Sequence, residues 1–493
     1  MSEIGKMYIG GQWVTARSSA ARDIIGPADG KVIGTVTEGG AEDVILAVAA
    51  AKAAFDEGSW RRTTPNERAA LLNAIADKLA ARTEEFAALE TLDNGKPLRD
   101  STYDVYDSID CFRYYAGLIN KPSGQTYSVP NPDMHAMVVR EPIGVCGQIV
   151  PWNYPLMMAA WKLAPCLAAG NTIVFKPSEV TPLSAVKLFE IMEEVGIPAG
   201  VANLVLGPGA TVGQEIAENM DVEKVAFTGG TATGRKIMTA ATGNMKSISL
   251  ELGGKSPCIV FDDYDMESAV DWAMFAVFCN QGQVCSAGSR LILQDTIYDA
   301  FLARMTERTR KIKIARGDVD GAEMGPLVSE AHMNKVLSYI DIGKNEGARL
   351  LCGGYRIKDT DFADGYFVAP TIFADCTPDM RVVQEEIFGP VLVVQKFHTE
   401  AEAIALANHT VYGLAGGVFS NDISKAMRVI KAVRAGITWI NAYHPTFPEA
   451  PWGGYKQSGI GRELGTFGLD EYTEIKQINI NLSPDKVGWF EER

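Results

Sequence analysis

The chain has 493 residues, with 46 basic against 61 acidic side chains and a formal charge of −15. Hydrophobic residues make up 47% and charged residues 22%, the balance of an ordinary globular protein long enough for two to four domains. The acidic surplus argues against general nucleic-acid binding, and no run of about 18 apolar residues is present to span a membrane.

Residues 41–55 and 65–92 carry apolar side chains at three- and four-residue spacing, so the first 120 residues read as largely helical. Asn94-Gly95-Lys96-Pro97 is a helix stop. A polar, Pro- and Gly-bearing stretch at 120–132 leads into alternating residues at 134–140, which read as an exposed strand or arm. From Gly144 the pattern changes. Residues 145–150, 172–176, 202–207, 224–228 and 248–252 read as strands, and 156–167, 182–195, 210–219 and 232–241 as helices. Such alternation predicts a parallel sheet with crossover helices, and these sheets bind ligands beyond the carboxyl ends of their strands. A second alternation runs from 256 to about 446, so two α/β domains are expected. Residues 474–482 alternate like a last strand.

The start, Met1-Ser2-Glu3-Ile4-Gly5-Lys6, has no charged head followed by an apolar run, so no export leader and a cytoplasmic location are expected. The 8 cysteines, at 111, 146, 166, 258, 279, 285, 352 and 376, are scattered without a C-x-x-C, which argues against a disulfide framework. The 5 histidines lie far apart with no H-E-x-x-H, so no metal site is expected. Chemistry must then rest on Cys, Glu, Lys or a cofactor.

Gly229-Gly230-Thr231-Ala232-Thr233-Gly234 follows an apolar strand and opens a helix. Small residues there let backbone N–H groups approach a pyrophosphate, although a plain strand–helix turn reads the same way. Cys285 sits in Asn280-Gln281-Gly282-Gln283-Val284-Cys285-Ser286-Ala287-Gly288-Ser289-Arg290, whose Gly, Ser and Gln suit an accessible turn better than a core. A reactive cysteine needs a base or a field to form thiolate. Glu251, in Leu250-Glu251-Leu252-Gly253-Gly254-Lys255, is a candidate base if buried, because burial raises a carboxyl pKa towards neutrality. An exposed strand-end glutamate is the alternative. Asn153, in Pro151-Trp152-Asn153-Tyr154-Pro155, can donate to a developing oxyanion or simply cap a helix. Phe175-Lys176-Pro177-Ser178-Glu179 ends a strand where a nucleotide would sit, and Glu385-Glu386-Ile387-Phe388-Gly389-Pro390 sets two carboxylates beside an aromatic.

Together, in this order, and with Pro451-Trp452-Gly453-Gly454, these segments resemble the aldehyde dehydrogenase superfamily of NAD(P)-dependent enzymes over nearly the whole chain. The resemblance implies an α/β fold with three parts. A Rossmann-like NAD-binding domain would take 1–119 and 142–253, an α/β catalytic domain 254–456, and a small β oligomerisation element 120–141 and 473–493. It implies a homo-oligomer, dimer or tetramer, acting on a small-molecule aldehyde. Cys285 would be the nucleophile, Glu251 the general base and Asn153 the side-chain half of the oxyanion hole. Lys162 and Glu463 match positions linked to proton relay. Lys176 and Glu179 would bind the adenine ribose hydroxyls, with Ser178, Gly209 and Gly213 as further cofactor-binding residues. Phe227, Thr228, Gly229, Gly230 and Leu252 would lie along the pyrophosphate and nicotinamide. Glu386 would hold the nicotinamide ribose with Phe388 against the nicotinamide ring, and Trp152 is a further cofactor-binding residue. Gly230 stands where relatives often carry Ser, which removes one phosphate contact. Glu179 favours NAD, since a 2′-phosphate of roughly −1.5 to −2 charge would face its carboxylate.

For the substrate, the resemblance places Tyr154, Trp161, Cys279 and Trp452 on the tunnel. Tyr154 and Trp161 are seven apart and would share a helix face. Aromatic rings with an acid such as Glu449 near the mouth suit a quaternary ammonium. The segments around Cys285 and Trp452 are similar to bacterial betaine aldehyde dehydrogenases. Cys279, where many such enzymes have an aromatic, and the bulk of Ile437 run against it. A broad aliphatic, aromatic or amino-aldehyde specificity is the alternative, and a catalytically silent relative a remoter one.

Overall fold

The structure is a computed structural model that describes residues 5–121, 124–359, 362–483, 486 and 489–490. The expected oligomerisation element at 120–141 and 473–493 therefore lies partly outside the described residues. Its first large sheet has eight strands. Five of them, Val145–Ile149, Thr172–Lys176, Ala202–Leu204, Lys224–Thr228 and Ser247–Glu251, run parallel. Their side chains are almost all buried, as befits strands covered on both faces. In space, Val145–Ile149 is the middle strand, with Lys224–Thr228 on one side and Thr172–Lys176 on the other. The direction of winding reverses there, which opens a crevice beyond the two carboxyl ends. Antiparallel strands close the edges: Gly459–Ile460 beside Ser247–Glu251, and Met7–Ile9 with Gln12–Val14 beside Ala202–Leu204.

The second sheet has seven strands and is built from residues 257–440. Six are parallel, and only Arg349–Cys352 runs antiparallel at the edge. Thr473–Asn481 pairs antiparallel along all of Met134–Pro142, and Gln125–Tyr127 adds a third strand to this separate sheet. Ile475 and Ile480 stand exposed on it. No helix among the described residues is long and apolar enough to cross a membrane.

The N-terminal segment differs from its sequence reading. Four strands, Met7–Ile9, Gln12–Val14, Ala21–Ile25 and Val32–Thr37, precede the first helix. The first two, of three residues each, carry too few residues for a period of two to register, and the Gly10-Gly11 turn, with φ of +61° and +83°, joins them in a hairpin. The helix expected over 65–92 is two, Pro65–Ala81 and Thr83–Asn94, parted at Arg82. The strand expected over 202–207 ends at Leu204, and the next helix opens with a π turn at Gly209–Gly213. The stop at 94–97 falls where expected, with Gly95 left-handed at φ +95° between Pro27 and Pro326.

The segment that carries Trp452 is pressed onto the start of the last strand of the second sheet. A Cβ on Gly436 would fall 1.7 Å from the Gly453 carbonyl oxygen. Gly436→Ala is expected to lower the thermal unfolding midpoint by about 2–10 °C. An unchanged melting curve would contradict this packing.

Candidate active site

Asn153, Glu251 and Cys285 line one cavity of about 600 Å³. Asn153 follows the middle strand of the first sheet, just before the helix Pro155–Ala169. Glu251 is the last residue of its strand and lies opposite Thr228 in register. Cys285 comes from the loop between the helix Met266–Phe278 and the strand Arg290–Gln294 of the second sheet. That loop turns sharply. Asn280 and Gln281 adopt φ of +46° and +57°, and Gly282 has φ +72°. A Cβ at Gly282 would meet the Gly389 carbonyl oxygen at 2.2 Å, so only glycine lets these two loops close on each other.

Glu251 is buried, not exposed, and neither carboxylate oxygen has a hydrogen-bond partner. Burial, followed by the nearby Glu463 carboxylate, pushes it well above the ordinary carboxyl range. Burial also pushes the Cys285 thiol up to about 12, with Glu251 and Glu386 adding to the effect. In the free protein this cysteine is thus a neutral thiol rather than the partly ionised one a surface turn would give. The Asn153 amide donates one N–H to the Gln283 carbonyl at 2.9 Å, and its second N–H remains. Lys162 pairs with Glu463 and donates to the Thr228 hydroxyl at 2.7 Å, next to Glu251.

The expected cofactor residues occupy two regions. Trp152, Thr228, Gly229, Gly230, Leu252, Glu386 and Phe388 line the cavity. Phe227 lies just below, its ring under Gly229. Lys176 and Glu179 pair at 3.2 Å, with the Gly209 N–H 3.5 Å from Glu179, Gly213 beside the Lys176 stem and Ser178 buried between them. Gly230 caps the helix Thr231–Ala240 without a side-chain hydrogen bond, and a Cβ there, or at Gly209, would meet open space. Unfilled space over bare helix-start N–H groups fits a dinucleotide phosphate. Glu386 presently accepts from the Gly254 N–H at 3.0 Å.

Tyr154, Trp161, Cys279 and Trp452 also line the cavity. Trp161 and Trp452 pack edge to face at 5.5 Å. Tyr154 is the N-cap residue rather than part of the helix, so it shares no helix face with Trp161. Its ring carries the Lys96 ammonium 4.1 Å from its centroid. Burial pushes the Cys279 thiol far up. Glu449 and Ile437 are not among the lining residues; Ile437 packs on the cluster that contains Trp452.

Sequence reading missed the acidic wall. Asp104, Asp107 and Asp110, with Tyr103 and Tyr106, reach the cavity from the helix Leu98–Leu118. Their spacing of three puts them on one stripe, a signal that was present in the sequence. Asp107 accepts from the Trp161 indole at 2.7 Å, and burial pushes it up to about 6. His332 and Lys335 were also missed. Burial holds His332 near 4, hence neutral, and its Nε2 contacts the Phe388 carbonyl at 2.6 Å, bracing a bulky residue at φ +65°.

The profile of the aldehyde dehydrogenase family matches residues 13–478. A betaine aldehyde dehydrogenase of Bacillus subtilis is 55% identical over 98% of this chain and 99% of its own. A peroxisomal aminoaldehyde dehydrogenase of Pisum sativum is 46% identical over 99% and 97%. A crystal structure of betaine aldehyde dehydrogenase from Staphylococcus aureus in complex with NAD+ is 49% identical, covers 99% of this chain and 97% of that one, and superposes with a TM-score of 0.98.

A thiol with a pKa near 12 ionises roughly tenfold more for each unit of pH below that value. Alkylation of Cys285 by iodoacetamide, taken as the difference from Cys285→Ser, should climb from about pH 7 to about pH 10 without levelling. A plateau below about pH 8 would show a thiolate already poised in the free protein.

Proposed function

We propose, for a chain that belongs to the aldehyde dehydrogenase family, that it oxidises an aldehyde to its carboxylic acid with NAD as hydride acceptor, and that the aldehyde is betaine aldehyde. The observation that carries this reading is the common cavity of Asn153, Glu251 and Cys285, walled on another side by Asp104, Asp107 and Asp110. The residues at 1–119 and 142–253 form the cofactor domain, 254–456 the catalytic domain, and 120–141 with 473–493 the element that joins subunits. The long exposed ladder with Ile475 and Ile480 on its surface supports that last assignment.

Cys285 attacks the carbonyl carbon while Glu251, as carboxylate, takes the thiol proton. The oxyanion so formed accepts from the free N–H of Asn153 and from the Cys285 main-chain N–H; one such donor contributes about 3 kcal/mol. NAD, when bound, supplies the hydride acceptor that turns the thiohemiacetal into a thioester. Lys176, Ser178, Glu179, Gly209 and Gly213 hold its adenosine end, and Gly229, Gly230 and the helix they open hold its phosphates. Trp152, Thr228, Leu252, Glu386 and Phe388 hold its nicotinamide half, and Phe227 supports Gly229 from beneath. Glu251 then takes a proton from water, whose oxygen adds to the thioester carbon, and Cys285 departs as the acid is released. Lys162 and Glu463 pass the proton on from Glu251.

The substrate follows from charge. Tyr154, Trp161 and Trp452 offer ring faces and edges, and each such contact with a quaternary ammonium is worth roughly 0.5–2 kcal/mol. Asp107 and Asp110 add negative potential that a neutral aldehyde would not need, while the charge of Asp104 is balanced by Lys96. A primary ammonium would find the same carboxylates, and the aminoaldehyde dehydrogenase likeness favours that second reading.

The decisive assay follows NADH with betaine aldehyde, 4-aminobutanal, propanal and benzaldehyde. Betaine aldehyde is expected to show the highest kcat/KM; a propanal value about tenfold above it would defeat the cationic assignment. Cys285→Ser should lose nearly all oxidation yet still bind NAD. A raised carboxyl is protonated, and useless as a base, below its pKa and becomes active as pH rises through it. Thioester hydrolysis should therefore quicken with pH in the wild type, and Glu251→Gln should slow the NADH burst, because the thiol loses its base, and slow the steady state that follows it still more. Equal burst and steady rates in that variant would remove Glu251 from its role.

A further inference from the structure

A buried cation supports the oxyanion-binding loop without touching the cavity. Lys96 has no exposed side-chain surface. Its Nζ donates to Asp104 Oδ2 at 2.5 Å and to the main-chain carbonyl of Asn153 at 2.8 Å, and it faces the Tyr154 ring at 4.1 Å. An ammonium has three N–H donors, and these three partners use them all. The Asn153 carbonyl takes a second hydrogen bond from Asn280 Nδ2 at 3.0 Å, so both of its lone pairs are engaged. Asn94 Nδ2 holds the preceding carbonyl, that of Trp152, at 2.9 Å. The loop that carries Lys96 is itself clamped, with Leu98 N–H on the Gly317 carbonyl at 2.9 Å.

We propose that Lys96 is a positioning residue for the oxyanion-binding amide of Asn153, acting through that residue's main-chain carbonyl. The inference rests on the aldehyde-oxidation reading. The amide has one N–H fixed on Gln283, so where the other points is decided by the main chain at 153. A shift of about 1 Å in such a group is enough to cost a large factor in rate. The ammonium has a second effect. Asp104 lines the cavity, and its negative charge would repel the oxyanion if nothing balanced it.

Removing Lys96 alone would strand a buried carboxylate, which is strongly destabilising. The test therefore compares Lys96→Met/Asp104→Asn with Asp104→Asn alone, with kcat counted per cysteine titrated in the NADH burst. The double variant is expected to lose about 10- to 100-fold in kcat, equally with betaine aldehyde and with propanal, while NAD affinity measured by fluorescence is retained. In an Asn153→Ala background the same change should cost less than about twofold, because the group it positions is gone. A loss as large in that background, or no loss in the parent, overturns the proposal. If the double variant does not fold, Asn280→Gly, which tolerates the φ of +46°, removes the other donor to the same carbonyl. It is read in the same two backgrounds, and a loss that does not depend on Asn153 overturns the route through the carbonyl. Wild-type protein run alongside keeps the two readings separable. No NADH from any aldehyde defeats the proposed function, whereas normal wild-type turnover beside an unaffected variant defeats only the role of Lys96.

Discussion

Desolvation of the Glu251 carboxyl is the constraint around which this cavity is arranged. Both of its oxygens are buried without a partner. A buried ionised carboxylate left in that state costs several kcal/mol, and the protein avoids the cost by keeping the group protonated until it is needed. The surroundings are tuned to that end. Lys162, the cation nearest to hand, is engaged by Glu463 and the Thr228 hydroxyl rather than by Glu251. Gly453 leaves room, since a Cβ there would stand 2.9 Å from Glu251 Oε1. A direct salt bridge would hold the carboxylate ionised but too weak a base to take a proton from a thiol or from water.

The same electrostatics explains the state of Cys285. Burial holds its proton on, with Glu251 and Glu386 adding to the effect when ionised, so the nucleophile is made at the moment of use. This division of labour between an acid held neutral and a thiol held neutral places the burden on geometry. The amide of Asn153 must already point at the reacting oxygen, because preorganised donors cost no rearrangement during the reaction. The hydrogen bonds on the carbonyls of Trp152 and Asn153 give that rigidity.

Two sheets meet at the site, and each contributes what its topology allows. The parallel sheet presents Asn153, Thr228 and Glu251 at strand ends on either side of its winding reversal. The second sheet supplies Cys285 on a loop bent through consecutive left-handed residues, strain of the kind that gathers at functional sites. The acidic helix Leu98–Leu118 comes from neither sheet, yet it gives the cavity its charge.

The strands of the parallel sheet are legible in the order of the amino acids. Runs such as 172–176 and 224–228 have apolar centres and are buried along their whole length because both faces are covered, and their ends coincide with the observed strands. The sequence also put forward Cys285, Glu251 and Asn153 as candidates, and the family resemblance of their segments, taken in order, joined them into one site. Three-residue strands at the N-terminus escaped, because alternation needs length to be seen. Folding in three dimensions is what buries Glu251, sets Tyr154 against Lys96, and turns Asp104, Asp107 and Asp110, but not Glu449, to the cavity. Those facts concern which surfaces meet across hundreds of residues. Desolvation and charge pairing are set by neighbours in space, and no local spacing encodes them.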